Sequence, residues 1–195
     1  PGAMNYAHKN RVQDAENVTL GIVAPDGRDA MLQHAEQFSA AGIPWIFDPG
    51  QGLPMFGGEE LMRFVEQATY VCVNDYESRM LMDKTGRSLA DIAGEVEALI
   101  VTRGGAGAEV RVDGDTLEIP PVKVRKINDP TGCGDAFRSG LLYGINKGFD
   151  WPTTGRLASL MGGVKIEHHG TQNHHPDREQ IAERYKQNFG SHIDL

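Results

Sequence analysis

Four short apolar runs, VTLGIVA from Val18, IPWIF from Ile43, TYVCV from Thr69 and ALIVT from Ala98, alternate with stretches of helical period. A run that is apolar throughout, rather than at every second residue, belongs to a strand buried on both faces. Parallel strands need crossover connections, and helices are the usual ones, so the alternation predicts an α/β fold with a mainly parallel sheet flanked by helices. Turn residues punctuate the pattern where such a fold needs them. Pro25-Asp26-Gly27 closes the first run, Gly42 stops the helix DAMLQHAEQFSAA, Asp48-Pro49-Gly50 closes the second run, and Gly86 ends DYESRMLMDKTG. A further helix is expected from Ser88 to Glu97. AEVRVDGDTLEIP alternates around Asp113-Gly114 and predicts an antiparallel hairpin appended to the sheet. VKVRKIN reads as one more strand, and the chain is mostly helical after Thr131. With no repeat, low-complexity tract or linker, the 195 residues are expected to form a single domain over positions 1–195.

In parallel sheets ligands collect beyond the carboxyl ends of the strands, where the following helices point their N-termini. Four motifs fall at such places: DPGQ, NDYE, TRGGAG and DPTGCGD. The last is the richest. Helix N-terminal amides lack intrahelical acceptors and carry the positive end of the dipole, so Gly132, Cys133 and Gly134 could expose donors to an anion. A carboxylate in the same turn, Asp135, could take a proton from a hydroxyl attacking a bound phosphate. The plainer reading is a tight turn in which Asp135 caps the helix or pairs with Arg138. Neither a Walker loop nor a Rossmann fingerprint fits, since GxxxxGK[ST] is absent and GxGxxG fails at Phe137 and Val110.

Asn74 and Glu77 of NDYE stand three residues apart at a strand end. They could order a hydrated magnesium ion beside phosphates, or they could form a capping box. Thr102, Gly104 and Gly107 in TRGGAG would let a ligand lie against the backbone, or would open a hairpin. The loop HHGTQNHH, His168 to His175, carries four of the seven histidines, with Asn173 among them. No second cluster with ligand spacing supports zinc there, and the preferred reading is that these residues line or rim a loop, which could stack on a flat base.

The formal charge of -8, with no run among the 19 Lys and Arg, argues against a nucleic-acid partner. Two cysteines give no disulfide framework, and no apolar run approaches a membrane span, so a cytoplasmic setting without membrane contact is expected. The chain starts Pro-Gly-Ala-Met, which reads either as an added segment or as a cut from a longer protein.

Taken in order, the motifs resemble those of the ribokinase or PfkB family of sugar and nucleoside kinases. DPTGCGD is similar to that family's second signature, NDYE to its NxxE motif and TRGGAG to its TxGxxG nucleotide loop. The likeness runs from about Gly2 to near Asn188, and the wording of DPGQGLPMF, NDYE and VTRGGAGAEV resembles bacterial adenosine-kinase-like members. The resemblance implies a ribokinase-like fold and an ATP-dependent kinase for a primary alcohol of a small-molecule nucleoside, adenosine first, or of a sugar.

The same resemblance implies the roles of individual residues. Asp135 would be the general base and Gly132, Cys133 and Gly134 the anion hole. Asn74 and Glu77 would organise Mg2+ and phosphates, while Thr102, Gly104, Gly107 and Asn173 would lie along the nucleotide. Asp129 and the Thr131 backbone would form part of a site for a monovalent cation such as K+, with the loop around Gly170 as its other wall. The family's N-terminal part, with its Gly-Gly signature, substrate-binding acid and lid, has no counterpart in these residues. The chain is therefore expected to be the C-terminal, nucleotide-binding portion, inactive or weakly active alone, from a protein that could be a homodimer. A non-catalytic nucleotide-binding module is the alternative.

Overall fold

A computed structural model describes residues 2–195; Pro1, the first residue of the PGAM start, lies outside the described residues. The described chain divides into two compact units, residues 2–102 with Glu109–Thr116, and Arg103–Ala108 with Leu117–Leu195.

The first unit carries the predicted alternation. Strands β1 (Gly21–Val23), β2 (Trp45–Phe47), β3 (Tyr70–Asn74) and β4 (Ala98–Thr102) are joined through helices α1 (Arg28–Ala40), α2 (Gly58–Gln67), α3 (Asp75–Thr85) and α4 (Leu89–Gly94). β1 to β4 are parallel neighbours in chain order, with Gly21 opposite Trp45, Ile46 opposite Tyr70 and Asn74 opposite Thr102. Right-handed crossovers taken in one direction put their helices on one face of a sheet. Accordingly, Val23, Phe47, Val71, Val73, Leu99 and Val101 pack with Leu61, Phe64, Leu81 and Ile92 in one apolar core. Phe47 and Phe64 stack there with centroids 4.6 Å apart. The intervening residues Ile46, Cys72 and Ile100 are also fully buried. Burial on both sheet faces is the physical reason these runs are apolar throughout.

The six-stranded sheet is completed by β5 (Ala108–Val112) and β6 (Asp115–Ile119). Their two-residue loop has both Asp113 and Gly114 at positive φ, 53° and 83°, the conformation that matches the twist of a hairpin.

In the second unit, α5 (Cys133–Lys147) and α6 (Trp151–Ile166) approach closely at small residues. A Cβ on Gly140 would stand 2.7 Å from Cα of Ala158, so only glycine allows that approach. Helix α7 (Arg178–Phe189) closes a second core of Leu157, Leu160, Val164, Tyr185 and Ile193. Arg184 holds both oxygens of the buried Glu167 at 2.9 Å, and the Arg125 amide donates to the same carboxylate at 2.7 Å. Burial pushes Glu167 up, but the Arg184 fork and the Arg125 amide outweigh it, leaving the carboxyl below its ordinary range.

VKVRKIN does not form the expected strand. Its amides find partners one at a time: Lys123 donates to Asn188 Oδ1, Arg125 to Glu167, and Asn128, followed by Asp129 of the next motif, to the Ile166 carbonyl at the end of α6. Alternation in sequence signals extended backbone, but a strand also needs a sheet edge. Here acceptors at the end of α6 and on α7 take that place, and DPTGCGD follows an irregular arm rather than a strand.

Candidate active site

Within the first unit, two sequence motifs meet at the carboxyl ends of β3 and β4, where Asn74 and Thr102 lie opposite one another. Asn74 ends its strand and caps α3. Its Oδ1 accepts the amides of Tyr76 and Glu77 at 2.9 and 2.8 Å, while Glu77 Oε2 accepts the Asn74 amide at 2.8 Å. This is the reciprocal capping box. One carboxylate oxygen of the half-buried Glu77, Oε1, stands outside it.

In the second unit, the loop from Arg103 to Ala108 shows what its glycines are for. Gly107 has φ 90°, and a Cβ there would lie 2.1 Å from the Ile119 carbonyl oxygen. Close backbone approach therefore demands Gly107, whereas Gly104 and Gly105 face open space and are exposed.

The N-terminus of α5 is organised by Asp129. Its Oδ1 accepts the Thr131 amide at 2.9 Å and its Oδ2 the Gly170 amide at 2.8 Å. His169 Nδ1 stands 3.5 Å from the same Oδ2. The amides of Thr131 and Gly170, then the Thr131 hydroxyl and the charge of Lys165, hold the Asp129 carboxyl far below the usual range. This carboxylate ties the histidine-bearing loop to the turn before α5. Gly132 turns the chain into the helix at φ 82°, and a Cβ on it would stand 3.2 Å from Thr171. In the same loop, Asn173 Nδ2 donates to the His169 carbonyl at 2.9 Å. Burial first, then repulsion from His168, Lys165 and His175, lowers the pKa of His174.

The Cys133 amide turns onto the Pro130 carbonyl at 3.1 Å. Helix geometry then leaves the amides of Gly134 and Asp135 without an intrahelical acceptor. A Cβ on Gly134 would meet Arg138 Nη1 at 2.6 Å, so glycine leaves room for that guanidinium to lie across the turn.

Asp135 occupies the third helical position, which in four other helices folds back onto the cap. Glu60, Glu77, Asp91 and Gln180 each bond the backbone amide of their N-cap residue. Asp135 makes no such bond, its N-cap is a glycine, and its side chain is exposed. The reading of Asp135 as a cap thus has no geometric support.

Two features escaped the sequence. Lys165 is fully buried, with Nζ 2.8 Å from the Asp129 carbonyl and 3.3 Å from that of His168. Its signal was a lysine inside the apolar helical run LMGGVKIE. The other, the buried Glu167–Arg184 pair, links residues 17 apart that no local pattern connects. Among the described residues no three His, Cys, Asp or Glu side chains converge as a metal ion would require, and no helix is long and apolar enough to cross a membrane.

Known proteins place this architecture. A Burkholderia thailandensis nucleoside kinase, solved in complex with inosine, is 53% identical and matches with a TM-score of 0.97 over 99% of this chain and 65% of that one. The structure of a Methanocaldococcus jannaschii nucleoside kinase, an archaeal member of the ribokinase family, matches at 28% identity and a TM-score of 0.88, covering 95% of this chain and 62% of that one. In sequence, the nucleoside kinase of M. jannaschii is 33% identical over 138 residues, 71% of this chain and 46% of the relative. The chain thus spans about half the length of the curated relatives it matches. These likenesses give it the three-layer α/β ribokinase-like fold. The model of the pfkB family carbohydrate kinases matches residues 2–178, and with nearly the whole chain inside that match, the chain belongs to the pfkB family.

Proposed function

We propose that this chain is the nucleotide-binding portion of a single kinase domain that transfers the γ-phosphoryl group of ATP to a primary hydroxyl of a nucleoside. Adenosine and inosine are the first candidates: adenosine from the wording of the motifs, inosine because the Burkholderia relative was solved with it. The single observation that carries the reading is the α5 N-terminus. Asp135 stays exposed beside two spare amides, while the corresponding residues of α2, α3, α4 and α7 fold back on their own caps.

In this reading the acceptor oxygen attacks the γ-phosphorus and the bond to the bridging oxygen of ADP breaks. The acceptor proton passes to the Asp135 carboxylate and then to solvent. Negative charge spreading over the transferring group is met by the N-terminal turn of α5, where Gly132, Cys133 and Gly134 shape the hole and the Gly134 and Asp135 amides donate. Thr102, Gly104, Gly107 and Asn173 lie along the nucleotide. Asn74 and Glu77 would hold hydrated Mg2+, for which Glu77 Oε1 is suited because the capping box uses only Oε2. Bound there, the ion would neutralise phosphate charge. A cytoplasmic homodimer is the form expected of the longer protein.

The test is ATP consumption by the full-length protein over adenosine, inosine, guanosine, ribose and fructose. Nucleoside-dependent turnover is the expected outcome. Turnover with sugars alone would make it a sugar kinase, and ATP binding without acceptor-dependent turnover would make it a regulatory nucleotide-binding module.

A further inference from the structure

The turn before α5 is expected to border a site for a monovalent cation, with Asp129 and the Thr131 backbone on one side and the loop around Gly170 on the other. The residues present do not fit one. Each Asp129 carboxylate oxygen already accepts one backbone amide, Oδ1 from Thr131 and Oδ2 from Gly170. The carbonyls of Asp129 and His168, one from each wall, both accept from Lys165 Nζ, at 2.8 and 3.3 Å. Lys165 has no exposed surface, and an ammonium of this kind is stable in a protein interior only where oxygens replace its water.

We propose that the Lys165 ammonium is a built-in monovalent cation, joining the Asp129 and His168 carbonyls beneath the α5 turn, so that the protein takes no free potassium there.

Lysine near a helix C-terminus often does no more than cap the last carbonyls. The His168 contact alone would fit that role, but the Asp129 carbonyl belongs to another segment, 36 residues away. The same charge reaches the surrounding groups. It draws the Asp129 carboxyl further down and works against the burial that pushes the Cys133 thiol up. An ammonium and a potassium ion are nearly equal in size and both accept carbonyl ligands, so one can stand in for the other. What differs is the tether: a cation carried on α6 cannot dissociate, and it fixes the loop at any salt composition. Lys165 is thus a positioning residue for the turn that presents Gly134 and Asp135.

The experiment reads folding, so it stands apart from phosphoryl transfer and can fail independently of the kinase reading. The thermal midpoint of the chain is measured in potassium, sodium and tetramethylammonium chloride at equal ionic strength. The native chain should melt at one temperature in all three salts. Lys165→Ala leaves room for an ion among the same carbonyls, and its midpoint should rise in potassium by about 2 °C or more over tetramethylammonium, the shift that mass-action binding gives a protein of this size. A potassium-specific rise in the native chain overturns the proposal. So does a Lys165→Ala variant that folds but responds equally to all three salts. Should that variant be unfolded in tetramethylammonium, potassium is expected to restore its circular dichroism, and failure to do so in every salt counts against the proposal. Saturable binding of thallium(I) to the native chain, followed by 205Tl NMR, would overturn it without any variant.

Discussion

Helices α3 and α5 both begin at motifs of glycine, amide or acid that look capable of holding a ligand, yet their first turns are built in opposite ways. At α3, Asn74 accepts two amides and Glu77 closes the box, so the helix end is satisfied from within. At α5, a left-handed glycine replaces the capping side chain and Asp135 does not turn back. Composition is similar at the two ends, an acid in the third position of each. What separates them is the capping side chain together with the fold-back of the acid, since Glu60 folds back even on the glycine cap of α2. A side chain at the cap consumes the amides that would bind an anion, and glycine at the cap leaves them over. Spare donors at a helix start are therefore better sought by asking which caps lack a side chain and which acids fail to fold back than by counting glycines.

The sharpest way to break this comparison is to remove Asp135. In the full-length protein Asp135→Ala should lower kcat by about 10²- to 10⁴-fold, about 3 to 5 kcal/mol of barrier, with little change in ATP affinity. Because the side chain is exposed and caps nothing, the thermal midpoint should stay within about 2 °C of the native value. Turnover near normal would remove Asp135 from the chemistry, and a large loss of stability would mean that it is a cap after all.

Gly132→Ala tests the turn itself. The left-handed φ of 82° costs an L residue about 1–2 kcal/mol, and the new Cβ must also settle 3.2 Å from Thr171. A fall of about 2–8 °C in thermal midpoint is expected, measured by calorimetry. An unchanged midpoint would show that the turn relaxes freely and is not the fixed frame described above.

At α3 the prediction reverses. Asn74→Ala removes the acceptor of two amides and should cost about 1 kcal/mol, or about 2–4 °C, while Asn74→Asp retains the cap and should recover most of it. Equal destabilisation by both substitutions would mean that the capping box is not what Asn74 contributes.

How much of this could be read from the sequence follows the same division between local and distant partners. The β1–β4 alternation, the Asp113-Gly114 hairpin and the capping of α3 depend on residues within a few positions, and each was legible. The same holds for the glycine-and-acid turn at α5. VKVRKIN reads as a strand but forms none, because its amides are satisfied by Glu167, Asn188 and Ile166, acceptors whose nearness only the packed helices α6 and α7 create. Gly107 reads as a glycine that lets a ligand lie against the backbone or opens a hairpin; its closeness to the Ile119 carbonyl is a further demand, made by the fold. The role of Lys165 is hidden for the same reason: its two acceptors come from the α5 turn and the histidine loop, and a lysine in a helix otherwise reads as surface.

The smallest expected effect is at Cys133, and it decides whether side chain or backbone makes the α5 turn. The thiol is half-buried, and its contact with the Asp129 carbonyl at 3.8 Å is too long to hold much. What fixes the residue is its amide, bonded to Pro130, and alanine keeps that amide while favouring the first helical position. Burial raises the thiol's pKa, so it is a poor nucleophile where it stands. Cys133→Ala should change stability by no more than about 0.5 kcal/mol and leave kcat/KM of the full-length enzyme within about threefold of native. A tenfold loss with an unchanged thermal midpoint would place the thiol in the reaction and take the hole out of the hands of the backbone. Small effects on both would leave the α5 turn as a backbone device, open where α3 is closed.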